Sequence, residues 1–283
     1  MKHFIFISVF ILTGVTSVCA QHACCQPADQ AFAGLADDPR FVMQHDEPVP
    51  VTLHDEAGTM VSFPTADGKD ARAYVVRPDQ AGSNFLIVFH EWWGLNDHII
   101  QMADQLAADL KDVTVIAVDL YDGQVAATRE DAASAMQSMS TERGIHIIRG
   151  VQQLVQNQYT DEQPTFATIG WCMGGGWSLQ AALEYRELSS ACVIYYGMPE
   201  SDADRLSQLE CPVLFVFAKQ DKWISYDVVS GFKKNMLHAG KKLRILEYDA
   251  DHAFANPSNP GYNNEAALEA YAESLSFLYT ALH

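Results

Sequence analysis

Short apolar runs alternate along this chain with stretches whose apolar residues recur every three or four positions. Phe85-Leu86-Ile87-Val88-Phe89, Val113 to Val118, Thr165 to Ile169, Ala191 to Tyr196 and Val213 to Ala218 are unbroken and rich in β-branched residues. Such runs suit strands covered on both faces. Asp97 to Leu110 places Ile99, Met102, Ala103, Leu106 and Leu110 on one stripe, which predicts an amphipathic helix. Further helices are expected at about Glu130 to Met139, Glu142 to Asn157, Ser178 to Tyr185, Tyr226 to Leu237 and Asn264 to Leu282, and a last strand at Leu243 to Tyr248. Met60 to Pro64 and Ala71 to Arg77, joined by Asp67-Gly68, predict an N-terminal hairpin. Strands alternating with helices imply right-handed crossovers and a mainly parallel sheet with helices on both faces, so the fold class is α/β.

The start of the chain departs from this alternation. Lys2, the apolar run Phe4 to Leu12 and the small-residue site Val18-Cys19-Ala20 make residues 1–20 a candidate export signal, with the mature chain secreted or periplasmic. A lipid-anchor site at Cys19 fits less well, because Thr16-Ser17-Val18 lacks the usual leucine and small final residue. Residues 21–50 are polar and acidic and read as an irregular leader ahead of one domain over 51–283. The leader's Cys24-Cys25 fits a tail, an intermolecular disulfide or a metal-binding end. With 36 acidic against 18 basic residues the net charge is −18, a surface that repels nucleic acid and anionic membranes; no run is long enough for stable membrane insertion. The sequence leaves oligomeric state open, and also whether Cys192 and Cys211, each near the start of a predicted strand, are bridged.

In a parallel sheet, chemistry gathers at the carboxyl ends of the strands, so the residues that follow each strand matter most. After Thr165 to Ile169 comes Gly170-Trp171-Cys172-Met173-Gly174, a Gly-x-Cys-x-Gly turn from strand to helix. This is the setting of a nucleophile elbow, with cysteine in the place more often held by serine. A helix starting behind the sulfur favours thiolate, and its amides can face an oxyanion. Asp221 follows the Val213 strand and His252 follows the Leu243 strand. Nucleophile, acid, histidine is the chain order of the α/β-hydrolase triad. The backbone N–H groups of Met173 and Trp92 are candidate oxyanion donors, and Trp93, Tyr121 and Tyr196 are candidate walls of an apolar substrate pocket. His90 and His98 lack the spacing of a metal motif, so neither a metal nor another cofactor is expected.

Together, His90-Glu91-Trp92-Trp93-Gly94-Leu95-Asn96, Asp119-Leu120-Tyr121, Gly170-Trp171-Cys172-Met173-Gly174-Gly175 and Asp251-His252-Ala253-Phe254 resemble the dienelactone hydrolase family, from about Thr59 onward. The resemblance implies an α/β-hydrolase fold, a Cys172–His252–Asp221 triad, and a role for Glu91 in controlling when the cysteine ionises. It also exposes two departures. Where the family's carboxylate-binding member carries arginines, this chain has Gly123 and Asn256. The expected function is hydrolysis of a small carboxylic ester or lactone through an acyl-cysteine, with thioester hydrolysis or a catalytically silent binding protein on the same fold as alternatives.

Overall fold

The structure, a computed structural model, describes residues 28–51, 56–80, 82–158 and 163–283. The signal segment, Cys19 and the Cys24-Cys25 pair lie outside the described residues. In chain order the elements are α1 (Ala28–Ala33), α2 (Pro39–Gln44), β1 (Thr59–Pro64), β2 (Asp70–Val76), β3 (Asn84–Phe89), α3 (Asp97–Leu110), β4 (Thr114–Asp119), α4 (Arg129–Ser138), α5 (Thr141–Gln158), β5 (Thr165–Trp171), α6 (Met173–Tyr185), β6 (Ser189–Tyr195), α7 (Ala203–Leu206), β7 (Val213–Ala218), α8 (Tyr226–His238), β8 (Leu243–Tyr248) and α9 (Asn264–Leu282). Polar side chains start most of the long helices. Asn96, Thr128, Ser225 and Asn263 each accept a hydrogen bond from a first-turn amide of the helix that follows.

The strands form one sheet in the order β1-β2-β4-β3-β5-β6-β7-β8, with β1 and β2 antiparallel to their neighbours and the rest parallel. Every residue of β4 and β7 is buried, as is all but the first of β3 and β5. The cause is helical cover on both faces: α3 and α9 pack together on one side, α5 and α6 on the other. Edge strand β1 is mostly exposed and buries only Phe63 fully. From β3 the chain steps outward to β4, then returns to the opposite side of β3 as β5. The loops leaving β3 and β5 therefore part in opposite directions and leave a crevice between them, the usual ligand position in an open parallel sheet.

One feature differs from expectation, and one question the sequence left open is answered. The leader is not irregular where it is described: α1, a 3-10 turn at Gly34–Asp37 and α2 fold it onto the domain and bury Phe32 and Phe41. Asp38 caps α2 by accepting from the Arg40 amide, and Pro39 opens its first turn. These helices are six residues each, too short to produce a helical period in the sequence. Cys192 and Cys211 are free and buried in the neighbouring region of β6 and β7. Their sulfurs turn to different hydroxyls, Ser178 at 3.5 Å and Ser189 at 3.3 Å.

Candidate active site

Strand β5 delivers Cys172 to the centre of the crevice. The residue takes φ 57° and ψ −122°, a left-handed conformation that costs a side chain of its type on the order of 1–3 kcal/mol. The surroundings hold it there: its amide donates to Tyr195 O at 3.0 Å, and its carbonyl accepts from Gly175 N at 3.1 Å. Close packing explains the flanking glycines. A Cβ at Gly174 would run into the carbonyl oxygens of Phe89 and His90, and one at Gly170 into the backbone of Gly174. Helix α6 begins directly after the sulfur, at Met173, whose amide has no acceptor within the helix.

His252 and Asp221 meet in the same crevice. His252 Nδ1 donates to Asp221 Oδ2 at 2.6 Å, which leaves the lone pair on Nε2. That Nε2 is buried without another partner, and a ring nitrogen of His252 lies within 4.8 Å of Cys172 Sγ. Asp221 does not cap α8; Ser225 does. Instead Asp221 Oδ1 accepts from the amides of Trp223 and Ile224, at 2.8 and 3.0 Å. Burial pushes the Asp221 carboxyl up, but His252 and these amides outweigh it and hold the pKa below the ordinary value. Burial opposes charge on His252 as well; there the Asp221 carboxylate and the Cys172 sulfur prevail, and its pKa stands well above that of a free imidazole.

The loop after β3 supplies Glu91 and Trp92, both buried. Burial raises the Glu91 pKa to about 7 against the opposing pull of His252 and Asn256. One carboxyl oxygen accepts from Asn256 Nδ2, and the other is buried with no partner. Asn256 is fixed in turn by Ser258, whose amide and hydroxyl donate to its Oδ1 at 2.8 and 2.6 Å. At Gly123, the other departure from the resembled family, the Arg72 guanidinium fills the place a side chain would take. Arg72 is paired with Asp119 at 3.1 Å. Tyr196 packs against His252, the two rings tilted with centroids 5.0 Å apart. Tyr121 donates its hydroxyl to Met173 Sδ at 3.1 Å, and Trp93 packs on Trp92 with ring centroids 5.0 Å apart. His90 uses both ring nitrogens, Nδ1 toward Glu91 O at 2.6 Å and Nε2 as acceptor from Leu120 N at 3.1 Å. It orders the loop and has no lone pair left for a metal.

One residue of the site was not anticipated. His45, which ends α2, places Nε2 4.0 Å from Cys172 Sγ and stacks on Trp92 at 4.3 Å and near His252 at 5.1 Å. His45 is itself packed against the Phe41 ring, with centroids 4.3 Å apart, and Cys172 behind it is 1% exposed. The available signal was Asp38-Pro39, a helix start, with Phe41 and His45 one turn apart behind it. The three donor atoms of His45, Cys172 and His252 lie within 4.8 Å of one another.

The model of the dienelactone hydrolase family matches residues 71–282, most of the chain. The chain belongs to this family. Among relatives, it is 29% identical to the protein usf of Aquifex pyrophilus, over 78% of this chain and 97% of that one. It is 24% identical to the carboxymethylenebutenolidase of Pseudomonas sp. (strain P51), over 73% of this chain and 88% of that one. Its fold also matches that of a dienelactone hydrolase-like promiscuous phosphotriesterase from metagenomic libraries, at TM-score 0.67 and 18% identity, covering 80% of this chain and all of the other. As a dienelactone hydrolase family member the chain is a hydrolase with the α/β-hydrolase fold.

Proposed function

We propose that the protein hydrolyses carboxylic esters or lactones through an acyl-cysteine, with Cys172 as nucleophile, His252 as base and Asp221 as its orienter. The observation that carries this reading is the 2.6 Å Asp221–His252 bond, which leaves an unpartnered Nε2 beside a cysteine in a strained strand-to-helix turn. The thiol proton passes to His252 Nε2 as the sulfur attacks the carbonyl carbon. The C–O π pair moves onto oxygen, where the amides of Met173 and Trp92 stabilise the charge; removing one such donor costs roughly 2.7–4 kcal/mol in a well-studied protease. The intermediate collapses, the ester C–O bond breaks, and His252 protonates the departing alkoxide. Water then gives a proton to His252 and attacks the acyl-cysteine, releasing the acid and restoring the thiol. Glu91, buried and poised near neutrality, accepts or releases a proton at little cost and so sets how readily the cysteine ionises.

The same reading covers substrate choice and location. Asn256 is neutral and bound to Glu91, and the Arg72 guanidinium is paired with Asp119, so these two positions offer a substrate carboxylate no unpaired cation. Trp93, Tyr121 and Tyr196 would line an apolar acyl pocket suited to neutral substrates. Residues 1–20 would direct export and be removed.

The test is hydrolysis of short p-nitrophenyl esters. The wild-type chain should turn over and lose activity on thiol alkylation, and Cys172→Ala should fold normally and be inert. A folded Cys172→Ala chain with wild-type turnover would exclude the mechanism, and a wild-type chain with no turnover on any ester or lactone would favour a silent binding protein.

A further inference from the structure

His45 has no task in the hydrolytic sequence, yet its lone pair is aimed where the nucleophile and base aim theirs. Its Nδ1 donates to Phe41 O at 2.8 Å, so its lone pair sits on Nε2, facing Cys172. His252 is arranged alike, with Nδ1 donating to Asp221 at 2.6 Å and Nε2 without a partner. A carbonyl or carboxylate behind each imidazole is the usual support of a metal-ligating histidine, because it fixes both tautomer and ring orientation. The backbone at His45 is pinned as well: Arg129 Nε donates to its carbonyl at 2.6 Å, and Trp223 Nε1 donates to the side chain of neighbouring Gln44 at 2.6 Å.

We propose that His45, Cys172 and His252 form a Zn2+ site that holds the enzyme in an inactive state when occupied. Two imidazole nitrogens and one sulfur, with no oxygen donor, are a set for a borderline-soft ion of tetrahedral habit. Around zinc such ligands stand about 3.4–3.6 Å apart, so the three donors, 4.0 Å apart between His45 Nε2 and Cys172 Sγ and within 4.8 Å as a set, must close by roughly 0.5–1.4 Å on binding. The fourth position is left to water. On binding, the Cys172 S–H bond breaks, an S–Zn bond forms and the proton leaves to solvent; nothing is oxidised or reduced. The ion occupies the sulfur and the base together, so neither can act until it is removed. A cleft of about 100 Å³ opens onto His45 and His252; Asp251 stands at its wall beside the Arg129-paired Asp46, and the net charge of −18 favours cations around it.

Two of the ligands rest on the mechanism proposed above, so binding is read directly as well as through activity. Chelator-stripped chain is titrated with Zn2+ by calorimetry and with Co2+ by absorption, in the wild type and in a Cys24→Ser/Cys25→Ser background that removes the adjacent N-terminal thiols. One ion should bind per chain in both, with a thiolate-to-cobalt charge-transfer band that Cys172→Ser abolishes. His45→Ala, and the volume-conserving His45→Gln, should weaken Zn2+ binding by at least ~100-fold, more than the usual loss on removing a supporting partner. Relative to each variant's own metal-free rate of ester hydrolysis, inhibition should require a correspondingly higher Zn2+ concentration. Zn2+ affinity unchanged in both His45 variants, or no thiolate band in the wild type, would overturn the site. Cys172-dependent hydrolysis with Zn2+ binding indifferent to His45 would sink this inference alone; binding that needs all three residues in a chain that hydrolyses nothing would support the site and sink the mechanism.

Discussion

Asp221 and Glu91 are both buried carboxyls, and their surroundings send them in opposite directions. Asp221 has a charged partner and two amides; Glu91 has one amide side chain and an oxygen with none. Asp221→Asn should keep the fold, because Trp223 N and Ile224 N can still donate to its oxygen, while kcat falls roughly 10^4-fold through loss of the correct His252 tautomer. Steady-state rates on one ester decide it, and an unimpaired Asp221→Asn would move the role to another acid. Glu91 makes its own test in stability. Its folded pKa of about 7 lies above its unfolded value, so the folded state binds its proton more tightly, and the native state loses stability as pH rises from about 4.5 through 7. The loss amounts to about 3 kcal/mol at 1.36 kcal/mol per unit. Denaturant unfolding at pH 4.5 and pH 8 should therefore show Glu91→Gln gaining on the wild type at the higher pH only; parallel curves for the two would mean that Glu91 ionises normally.

At the scale of elements, much of the site was legible because strand ends are easy to read. The runs that became β3, β5 and β7 are unbroken and apolar, β8 is a mixed run, and a parallel sheet sends whatever follows them to one edge. Cys172, Asp221 and His252 were picked out on that rule, and Glu91 through the family resemblance. His45 was missed because α2 has six residues and its stabilisation comes from burying Phe41 on the domain, a tertiary effect with no local period. The partners of Asn256 and Arg72 were equally hidden, since each joins residues far apart in the chain. The elbow yields an element-scale prediction. Gly174 lies against the carbonyls of Phe89 and His90, both at the end of β3, so Gly174→Ala must push β3 and α6 apart. A loss of about 3 kcal/mol in denaturant unfolding is expected, the upper part of the overpacking range; a neutral result would mean the elbow is more loosely packed than it looks.

For the whole molecule, the decisive property is how charge is distributed around a nearly closed crevice. The acidic surface repels anions at a distance, and the guanidiniums at Gly123 and at the His45 carbonyl are already paired: Arg72 with Asp119, Arg129 with Asp46. For substrates that differ only in a carboxylate or its methyl ester, kcat/KM should favour the methyl ester at low salt and still favour it at high salt, where long-range repulsion is screened. A preference for the carboxylate that persists in high salt would show that one of these arginines leaves its partner to bind substrate. Cys172 itself is 1% exposed, with His45 beside its sulfur, so everything depends on whether this buried sulfur is the atom that takes the acyl group. The direct measurement is intact-protein and peptide mass after acid quench of the metal-free chain mixed with a slowly deacylated p-nitrophenyl ester. The account predicts one acyl group per chain, on the peptide containing Cys172, decaying as turnover proceeds and absent from Cys172→Ala. Steady hydrolysis with the acyl group on another residue, or with Cys172→Ala acylated as fully as the wild type, would contradict it.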